Sequence, residues 1–167
     1  MKIIQKTSVN MVQKYEIDRL DIKIINYLRE NARMPFTDLA KKLNVSAGTI
    51  HQRYEKLREA GVITGSSIKV NYAGLGHAVT VLLGIHLHNA KDVDSVIDKL
   101  SKIDEVVEAN YTTGNFALII KAKVKDIEHF HDFLRHKLQA IPEIRSTESF
   151  ISLKQVIDKD ISLDANT

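Results

Sequence analysis

Residues 45–65, VSAGTIHQRYEKLREAGVITG, carry the pattern that decides the fold of the first part of this chain. Ser46 is a typical N-cap, and Gly61 stands where helices commonly end. At about 100° per residue, one side of the intervening helix collects apolar side chains. These are Ala47, Ile50, Tyr54, Leu57 and Ala60. The pattern therefore predicts an amphipathic helix, capped by Ser46 and running to about Ala60, that packs on a core.

Two shorter helical patterns precede this one. Ile17, Leu20, Ile24 and Leu28 recur at intervals of three and four residues, and Asp18 is placed to cap the helix that they form. Pro35 prevents this first helix from continuing, and a second helix fits residues 36–43. Three short helices, with a turn of about three residues between the last two, predict a helix-turn-helix.

The outer side of the third helix has the composition of a DNA-reading surface. Gly48, Thr49, Gln52 and Lys56 lie opposite the apolar side, with Arg53 and His51 at its edges. In the major groove, amides and arginines form paired hydrogen bonds with base edges, whereas lysines neutralise phosphates. A solvated helix face without a partner is the alternative interpretation.

The charge of the chain is unevenly distributed. Residues 1–71 have a net charge of +6 and residues 72–167 a net charge of −3. A basic first part predicts a polyanion-binding module attached to a second domain. There is no cysteine, which excludes disulfides and thiolate zinc sites, and no apolar run of membrane-spanning or signal-peptide type. We therefore expect a soluble cytoplasmic protein that does not bind membranes.

The second part of the chain alternates strands and helices in the order β-α-β-β-α-β. Strands are predicted at residues 78–87, 106–112, 116–124 and 144–153, and helices at residues 92–102 and 126–140. The second helix has an apolar stripe of Ile127, Phe130, Phe133, Leu134, Leu138 and Ile141. This order is that of a ferredoxin-like unit, in which two helices cover one face of a four-stranded antiparallel sheet.

The strands predict self-association. Val81, Leu83, Ile85, Leu118 and Ile120 lead us to expect apolar side chains on both faces of the sheet. A second copy of the sheet would cover the free face, so a dimer is expected.

The chain as a whole is thus predicted to be an α+β protein with two domains. An N-terminal extension at residues 1–14 precedes a winged helix-turn-helix domain at 15–71, in which residues 62–70 form a wing or a linking strand. An effector-binding and oligomerisation domain follows at 72–153, and residues 154–167 form a loosely held tail.

Two polar segments stand out in the second domain. Thr112, Thr113, Gly114 and Asn115 join two apolar strands, and a hairpin turn with a glycine that tolerates positive φ is the ordinary interpretation. The functional interpretation is that their backbone N–H groups bind a small anion, such as an amino-acid carboxylate. Ser146, Thr147 and Glu148 add hydroxyls and one carboxylate, which suits an ammonium group.

Neither a metal site nor an active site is indicated. His86 and His88 lie on one strand, and His129, His131 and His136 on or near one helix, but their spacing matches no metal motif. No Gly-x-Ser-x-Gly, P-loop or Gly-x-Gly-x-x-Gly occurs. We therefore expect no metal, no cofactor and no enzymatic activity.

With these parts in order, the chain resembles the Lrp/AsnC family of prokaryotic transcription regulators over about residues 15–153. The segments that carry the resemblance are LD at 20–21, II at 24–25, NAR at 31–33, LA at 39–40, VS at 45–46 with Thr49, GVITG at 61–65 and TG at 113–114. It is closest to the AsnC branch, which responds to asparagine. GTIH at 48–51, YTTG at 111–114 and IRSTE at 144–148 carry that likeness.

The resemblance implies a sequence-specific regulator of double-stranded DNA that responds to a small amino acid. It implies dimers that assemble further, often to octamers, with the amino acid bound between dimers. It places Ser46, Gly48, Thr49, Gln52, Arg53 and Lys56 on the recognition helix. It places Tyr111, Thr112, Thr113, Gly114, Asn115, Ser146, Thr147 and Glu148 around the effector. AsnC-like proteins commonly carry His-Tyr-Ser after the glycine, whereas this chain has Asn115, Phe116 and Ala117. The amide of Asn115 favours asparagine as the effector.

Two alternatives come from other classes of protein. Some relatives with the same two-domain plan are decarboxylases of haem precursors, for which His86, His88 or His136 are available. An amino-acid sensor that no longer binds DNA is the other. The DNA-suited residues of the third helix and the basic first domain favour the regulator.

Overall fold

The computed structural model describes residues 15–163, which form two units. The first unit contains residues 15–69 and 159–163, and the second contains residues 70–158. Each unit has its own cluster of buried apolar side chains. The predicted N-terminal extension at 1–14 and residues 164–167 of the predicted tail lie outside the described residues. Within residues 15–163, no helix is long and apolar enough to cross a membrane.

The described residues of the first unit form three α-helices: α1 at Arg19–Glu30, α2 at Phe36–Leu43 and α3 at Ala47–Glu59. Their apolar sides meet in a cluster around Ile24, Leu39, Ala40 and Ile50. All three helices lie where the apolar periodicity predicts them.

Local chemistry determines where these helices begin and end. Asp18 caps α1 by accepting the N–H groups of Leu20 and Asp21 at 2.8 and 3.0 Å, and Asp21 completes a capping box. Ser46 caps α3 as predicted. Gly61 follows α3 with a φ of 69°, a conformation that other residues rarely adopt.

The segment after α3 differs from expectation. Residues 64–71 are exposed and form no strand with any other part of the chain that the structure describes. A strand needs a partner for its backbone N–H and C=O groups. The alternating pattern of residues 62–70 therefore forms no paired strand within residues 15–163.

The second unit is a four-stranded antiparallel sheet with helices on one face. Its strands lie in the order β2-β3-β1-β4. The chain supplies β1 at Val79–Leu87, α4 at Val93–Leu100, β2 at Val106–Tyr111, β3 at Leu118–Val124, α5 at Ile127–Phe133 and β4 at Ile144–Ser152. This is the predicted β-α-β-β-α-β order.

The last helix departs from its prediction in two ways. The α-helical geometry ends at Phe133, and a π-helical turn at Leu134–Leu138 continues it. This wider turn buries Leu138 while Lys137 contacts Glu105. Ile127 was expected to face inward, but it is exposed because it lies in the first turn, directly after the N-cap Asp126 and before the buried cluster.

The two faces of the sheet are unequal. Val81, Leu83, Ile85, Leu118 and Ile120 all point to the same face and are fully buried against the helices, because Leu83 pairs with Ile120 and Ile85 with Leu118. The expectation that these five residues make both faces apolar is therefore wrong. The opposite face, which we call the open face, carries Thr80, Leu82, Gly84 and His86 of β1 together with their partners on β3 and β4.

The tail is not loosely held throughout. Arg29 Nη2 donates to the carbonyl oxygen of Ile161 at 2.9 Å and lies 3.2 Å from the Asp160 carboxylate. Asn26 Nδ2 donates to the carbonyl oxygen of Leu163 at 3.1 Å. Residues 160–163 thus lie along α1.

Candidate DNA-binding helix and effector site

The outer side of α3 presents the side chains that were predicted to contact DNA. Gly48, His51, Gln52 and Lys56 are exposed. Within residues 15–163, the side chains of Gln52 and Lys56 form no hydrogen bond or ion pair. They are therefore available to an external ligand.

Ser46 and Thr49 shape the N-terminal end of α3. The Thr49 N–H donates to Ser46 Oγ at 3.0 Å, and the two hydroxyl oxygens lie 2.8 Å apart. These hydrogen bonds cap the N-terminal end of α3, the end that would approach DNA.

Arg53 differs from its neighbours because its guanidinium already has two partners. Nη1 donates to the Asp18 carboxylate and lies 3.2 Å from Asp21 Oδ2. The hydrogen bond to Asp18 and the charge of Asp21 raise the pKa of the guanidinium, although burial opposes this. Arg53 therefore remains charged, and it contacts α1.

The loop between β2 and β3 is closed at its base. Thr112 N–H donates to the Ala117 carbonyl at 3.1 Å, Ala117 N–H donates to the Ile85 carbonyl at 2.9 Å, and the Thr112 hydroxyl donates to the Phe116 carbonyl. Among the described residues, the N–H groups of Thr113, Gly114 and Asn115 have no hydrogen-bond partner.

Gly114 contributes space to this loop. Positive φ values among the described residues occur only at Asn44, Gly61 and Gly76, so the expected left-handed role of Gly114 is not observed. Apart from its own chain neighbours, no atom of residues 15–163 lies within 4 Å of the position that a Cβ of Gly114 would occupy. A ligand can therefore approach the backbone here.

Phe116 and His86 link this loop to β4 across the open face. The Phe116 ring lies over Gly84, and its centroid is 5.0 Å from that of the His86 ring. His86 Nε2 lies 3.7 Å from Glu148 Oε1. Glu148 and Ser146 pair with Gly84 and His86, so both point to the open face. The structure thus joins the two predicted polar segments through two residues that were not predicted as effector contacts.

A sequence signal for His86 and Phe116 does exist. His86 stands two residues after Gly84 and therefore lies on the same face of β1. Because Gly84 has no side chain, it leaves space on this face for a large side chain, and Phe116 occupies that space. The partnership across strands becomes visible only once the register is known.

Two of the predicted effector residues point the other way. Tyr111 pairs with Leu118 and Thr147 with Ile85, and both partners belong to the buried face. Tyr111 is nevertheless exposed, because β2 is an edge strand. Tyr111 and Thr147 thus lie on the other side of the sheet from Ser146 and Glu148.

Two other histidines, His129 and His136, each contact a different carboxylate. His129 Nε2 lies 2.9 Å from Glu105 Oε1, and His136 Nδ1 lies 3.7 Å from Asp132 Oδ1. In the part of the chain that the structure describes, no group of three or more histidine or carboxylate side chains is arranged to hold a metal ion.

A three-helix unit with an exposed, partly basic third helix, followed by a sheet domain with polar side chains on its open face, defines a class of protein: a DNA-binding regulator with a ligand-binding domain. Comparison with family models supports each half. Residues 17–64 match a winged helix-turn-helix DNA-binding domain, and residues 79–161 match the Lrp/AsnC ligand-binding domain.

Known proteins identify the family. The chain is 45% identical to the regulatory protein AsnC of Haemophilus influenzae over 147 residues, which cover 88% of this chain and 98% of that protein. It is 44% identical to AsnC of Escherichia coli K12 over 150 residues, which cover 90% of this chain and 99% of that protein. The chain belongs to the Lrp/AsnC family of transcription regulators.

Solved structures agree with this assignment. The structure of Escherichia coli AsnC matches with a TM-score of 0.83 at 44% identity, covering 88% of this chain and 99% of that one. A transcriptional regulator from Neisseria meningitidis in complex with L-methionine shares the fold, with a TM-score of 0.82 at 22% identity and a coverage of 90% of this chain and 98% of that one.

Proposed function

We propose that this regulator binds asparagine at the open face and that binding changes its assembly and its affinity for DNA. The proposed effector residues are Tyr111, Thr112, Thr113, Gly114, Asn115, Ser146, Thr147 and Glu148. The proposed DNA-facing residues are Ser46, Gly48, Thr49, His51, Gln52 and Lys56, and Arg53 contributes to DNA binding from the same helix.

The observation that carries this proposal is the run of three N–H groups at Thr113, Gly114 and Asn115 without partners among residues 15–163. Successive backbone N–H groups that point to one side of a turn bind anions, and these three N–H groups are free to make such a contact. A carboxylate of an amino acid has the size and charge for such a site, and the exposed backbone at Gly114 allows it to approach.

The other end of an amino acid meets complementary chemistry on β4. Glu148 is exposed on the open face and accepts charge-assisted hydrogen bonds from an ammonium group. Ser146 adds a hydroxyl on the same face. Phe116 and His86 lie between the loop and β4, so they form the floor of the proposed site.

Asparagine fits better than an aliphatic amino acid because Asn115 offers both a donor and an acceptor to a side-chain amide. An unpaired buried amide costs about 1–3 kcal/mol, which corresponds to roughly ten- to hundred-fold discrimination against leucine. The sequence likeness to AsnC proteins supports this choice.

Assembly follows from surface left exposed on a single chain. Leu82, Ile119 and Phe150 are apolar and partly exposed on the open face. We propose that dimers form first and assemble further, to octamers or similar particles, with the effector between dimers. Because the proposed target is DNA, we propose a cytoplasmic location.

Isothermal titration with asparagine, glutamine, leucine and methionine tests the effector. We expect asparagine to bind at least ten-fold more tightly than leucine, and Glu148→Gln to weaken binding. Glu128→Gln, an exposed carboxylate on α5, is the control and should bind like the parent. Tighter binding of methionine or leucine would contradict the asparagine assignment.

A gel-shift assay on genomic fragments, combined with a visible spectrum of the purified protein, separates this proposal from the other classes. We expect DNA binding and no tetrapyrrole absorption. Absorption by a bound tetrapyrrole would favour the decarboxylase, and amino-acid binding without DNA binding would favour the sensor.

A further inference from the structure

A buried carboxylate lies where α1 and α3 meet. Asp21 is fully buried, and a buried charge is costly unless its oxygens have partners. Asp21 Oδ2 accepts the Asp18 N–H at 3.1 Å and the Tyr15 hydroxyl at 2.9 Å. Arg53 of α3 supplies the opposite charge, with Nη1 3.3 Å from Oδ1 and 3.2 Å from Oδ2.

Asp18 uses its two oxygens for two different helices. Oδ1 accepts the N–H groups of Leu20 and Asp21 and so begins α1. Oδ2 accepts a hydrogen bond from Arg53. One guanidinium therefore holds the N-cap and the first turn of α1 to the middle of α3.

We propose that Arg53 is a positioning residue, which sets the orientation of the recognition helix α3 against α1 and does not itself contact a phosphate or a base. Its partners include a carboxylate with no exposure to solvent, so turning towards DNA would leave that charge buried and unpaired. The two carboxylates also neutralise Arg53, so it offers no net positive charge to a phosphate. This inference rests on the DNA-binding function of the family.

The outer face of α3 depends on this contact. Gln52 precedes Arg53 directly, and Lys56 follows one turn later. Because base contacts require side chains to be placed within a fraction of an ångström, a small rotation of α3 removes hydrogen bonds to bases while leaving non-specific attraction to phosphates intact.

The ionisation of the cluster supports a contact that persists at neutral pH. Burial opposes ionisation of Asp18, but hydrogen bonds from the Asp21 N–H and from Arg53 outweigh burial, so the pKa of Asp18 lies below its ordinary value. Burial and the neighbouring Asp21 raise the pKa of the Tyr15 hydroxyl, which therefore remains a hydrogen-bond donor.

A matched pair of variants tests the proposal. Arg53→Gln and Lys56→Gln each remove one positive charge from α3, and both are measured on a duplex selected by the parent protein and on a random duplex over a series of salt concentrations. Lys56→Gln should weaken binding to both duplexes and reduce the salt slope by about 0.9, the value for one phosphate contact. Arg53→Gln should leave the slope unchanged and lower the ratio of specific to random affinity by about ten-fold.

Asp21→Asn provides the second measurement. Removing a negative charge near DNA tightens binding if only electrostatics matter, whereas the positioning role predicts the same loss of specificity ratio as in Arg53→Gln. The double variant should lose no more than either single variant. Arg53→Lys, which keeps the charge, should retain part of the ratio.

Three results would overturn the proposal. The first is a salt slope that falls in Arg53→Gln as it does in Lys56→Gln. The second is that Asp21→Asn binds the selected duplex more tightly than the parent protein does. The third is a specificity ratio equal to that of the parent when binding is corrected for the fraction of active protein, which would leave Arg53 a purely structural role. A parent protein that binds no duplex would instead contradict the DNA-binding function itself.

Discussion

Gln52 shows what a single residue on the exposed side of α3 is expected to do. Its side chain has no partner among the described residues, and an amide recognises adenine through paired hydrogen bonds. Gln52→Ala should therefore relax the sequence preference at one position of each half-site, at a cost of about 1–3 kcal/mol. Selection of binding sites from random duplexes by parent and variant measures this. An unchanged preference would show that Gln52 does not contact a base.

Gly84 is the residue on which the shape of the open face depends. A Cβ at this position would lie 2.5 Å from the ring of Phe116, so any other residue must displace that ring. Gly84→Ala should weaken asparagine binding about ten-fold, because forcing extra volume into a packed site costs roughly 1–3 kcal/mol. Isothermal titration measures the loss.

Gly65→Ala is the matched control for this experiment. Among the described residues, only its chain neighbours have atoms within 4 Å of the Cβ position at Gly65, and its φ is not positive. It should bind asparagine like the parent. Equal affinity of Gly84→Ala and the parent would show that Phe116 is not part of the effector site.

At the residue scale, the sequence predicts which side chains are exposed or buried better than it predicts which residues they contact. The outward residues of α3 follow from periodicity alone. The engagement of Arg53 does not, because Asp18 and Asp21 lie more than 30 positions away along the chain. No local pattern connects residues at that separation. Phe116 over Gly84 is a second contact of this kind.

At the scale of elements, helix bounds are predicted well because caps are local. Asp18, Ser46 and Gly61 each act within four residues of their position. The faces of the sheet are predicted poorly for a physical reason. Alternation along β1 assigns Val81, Leu83 and Ile85 to one face, but the face of Leu118 depends on the register between strands.

The π-helical turn after α5 brings together a cluster that stabilises the second unit. Lys137 Nζ lies 2.6 and 2.8 Å from the oxygens of Glu105, and His129 Nε2 lies 2.9 Å away. Burial raises the pKa of Glu105, but the hydrogen bonds from Lys137 and His129 outweigh burial, so the pKa lies below its usual range. Ionised Glu105 therefore contributes stability above its unfolded pKa of about 4.3, and this contribution is lost as the pH falls through the lower folded value.

Glu105→Gln tests this cluster. The free energy of unfolding at pH 7 should fall by about 1.5–3 kcal/mol, the range for hydrogen bonds to charged groups. As the pH falls below about 4, the free energy of unfolding should also decrease less in the variant than in the parent. Urea unfolding followed by circular dichroism measures both effects. Glu108→Gln removes a more exposed ion pair with Lys121 and should cost less than 1 kcal/mol. Equal effects of the two substitutions would contradict the role of burial.

At the scale of the whole molecule, the tail contributes to the first unit although it follows the second in sequence. Arg29 donates a hydrogen bond to the Ile161 carbonyl and forms an ion pair with the Asp160 carboxylate. Arg29→Ala should therefore raise the rate of limited proteolysis within residues 159–163 at least several-fold. Lys23→Ala, an exposed cation on the same helix, is the control. An unchanged rate of proteolysis in Arg29→Ala would show that this contact does not hold the tail.

The exposed apolar surface of a single chain predicts that the whole molecule is an assembly of several copies. Leu82 and Phe150 are paired on the open face and remain 38% and 55% exposed, so they keep apolar area in contact with water unless another copy covers it. Light scattering should find no folded species of 18.9 kDa at micromolar concentration. Leu82→Lys should shift the distribution towards that mass, because burying an unpaired charge opposes association. Ile127→Lys, at an exposed position on α5, should assemble like the parent. A stable monomeric parent would contradict assembly through the open face, and dissociation of both variants would show that added charge alone separates the subunits.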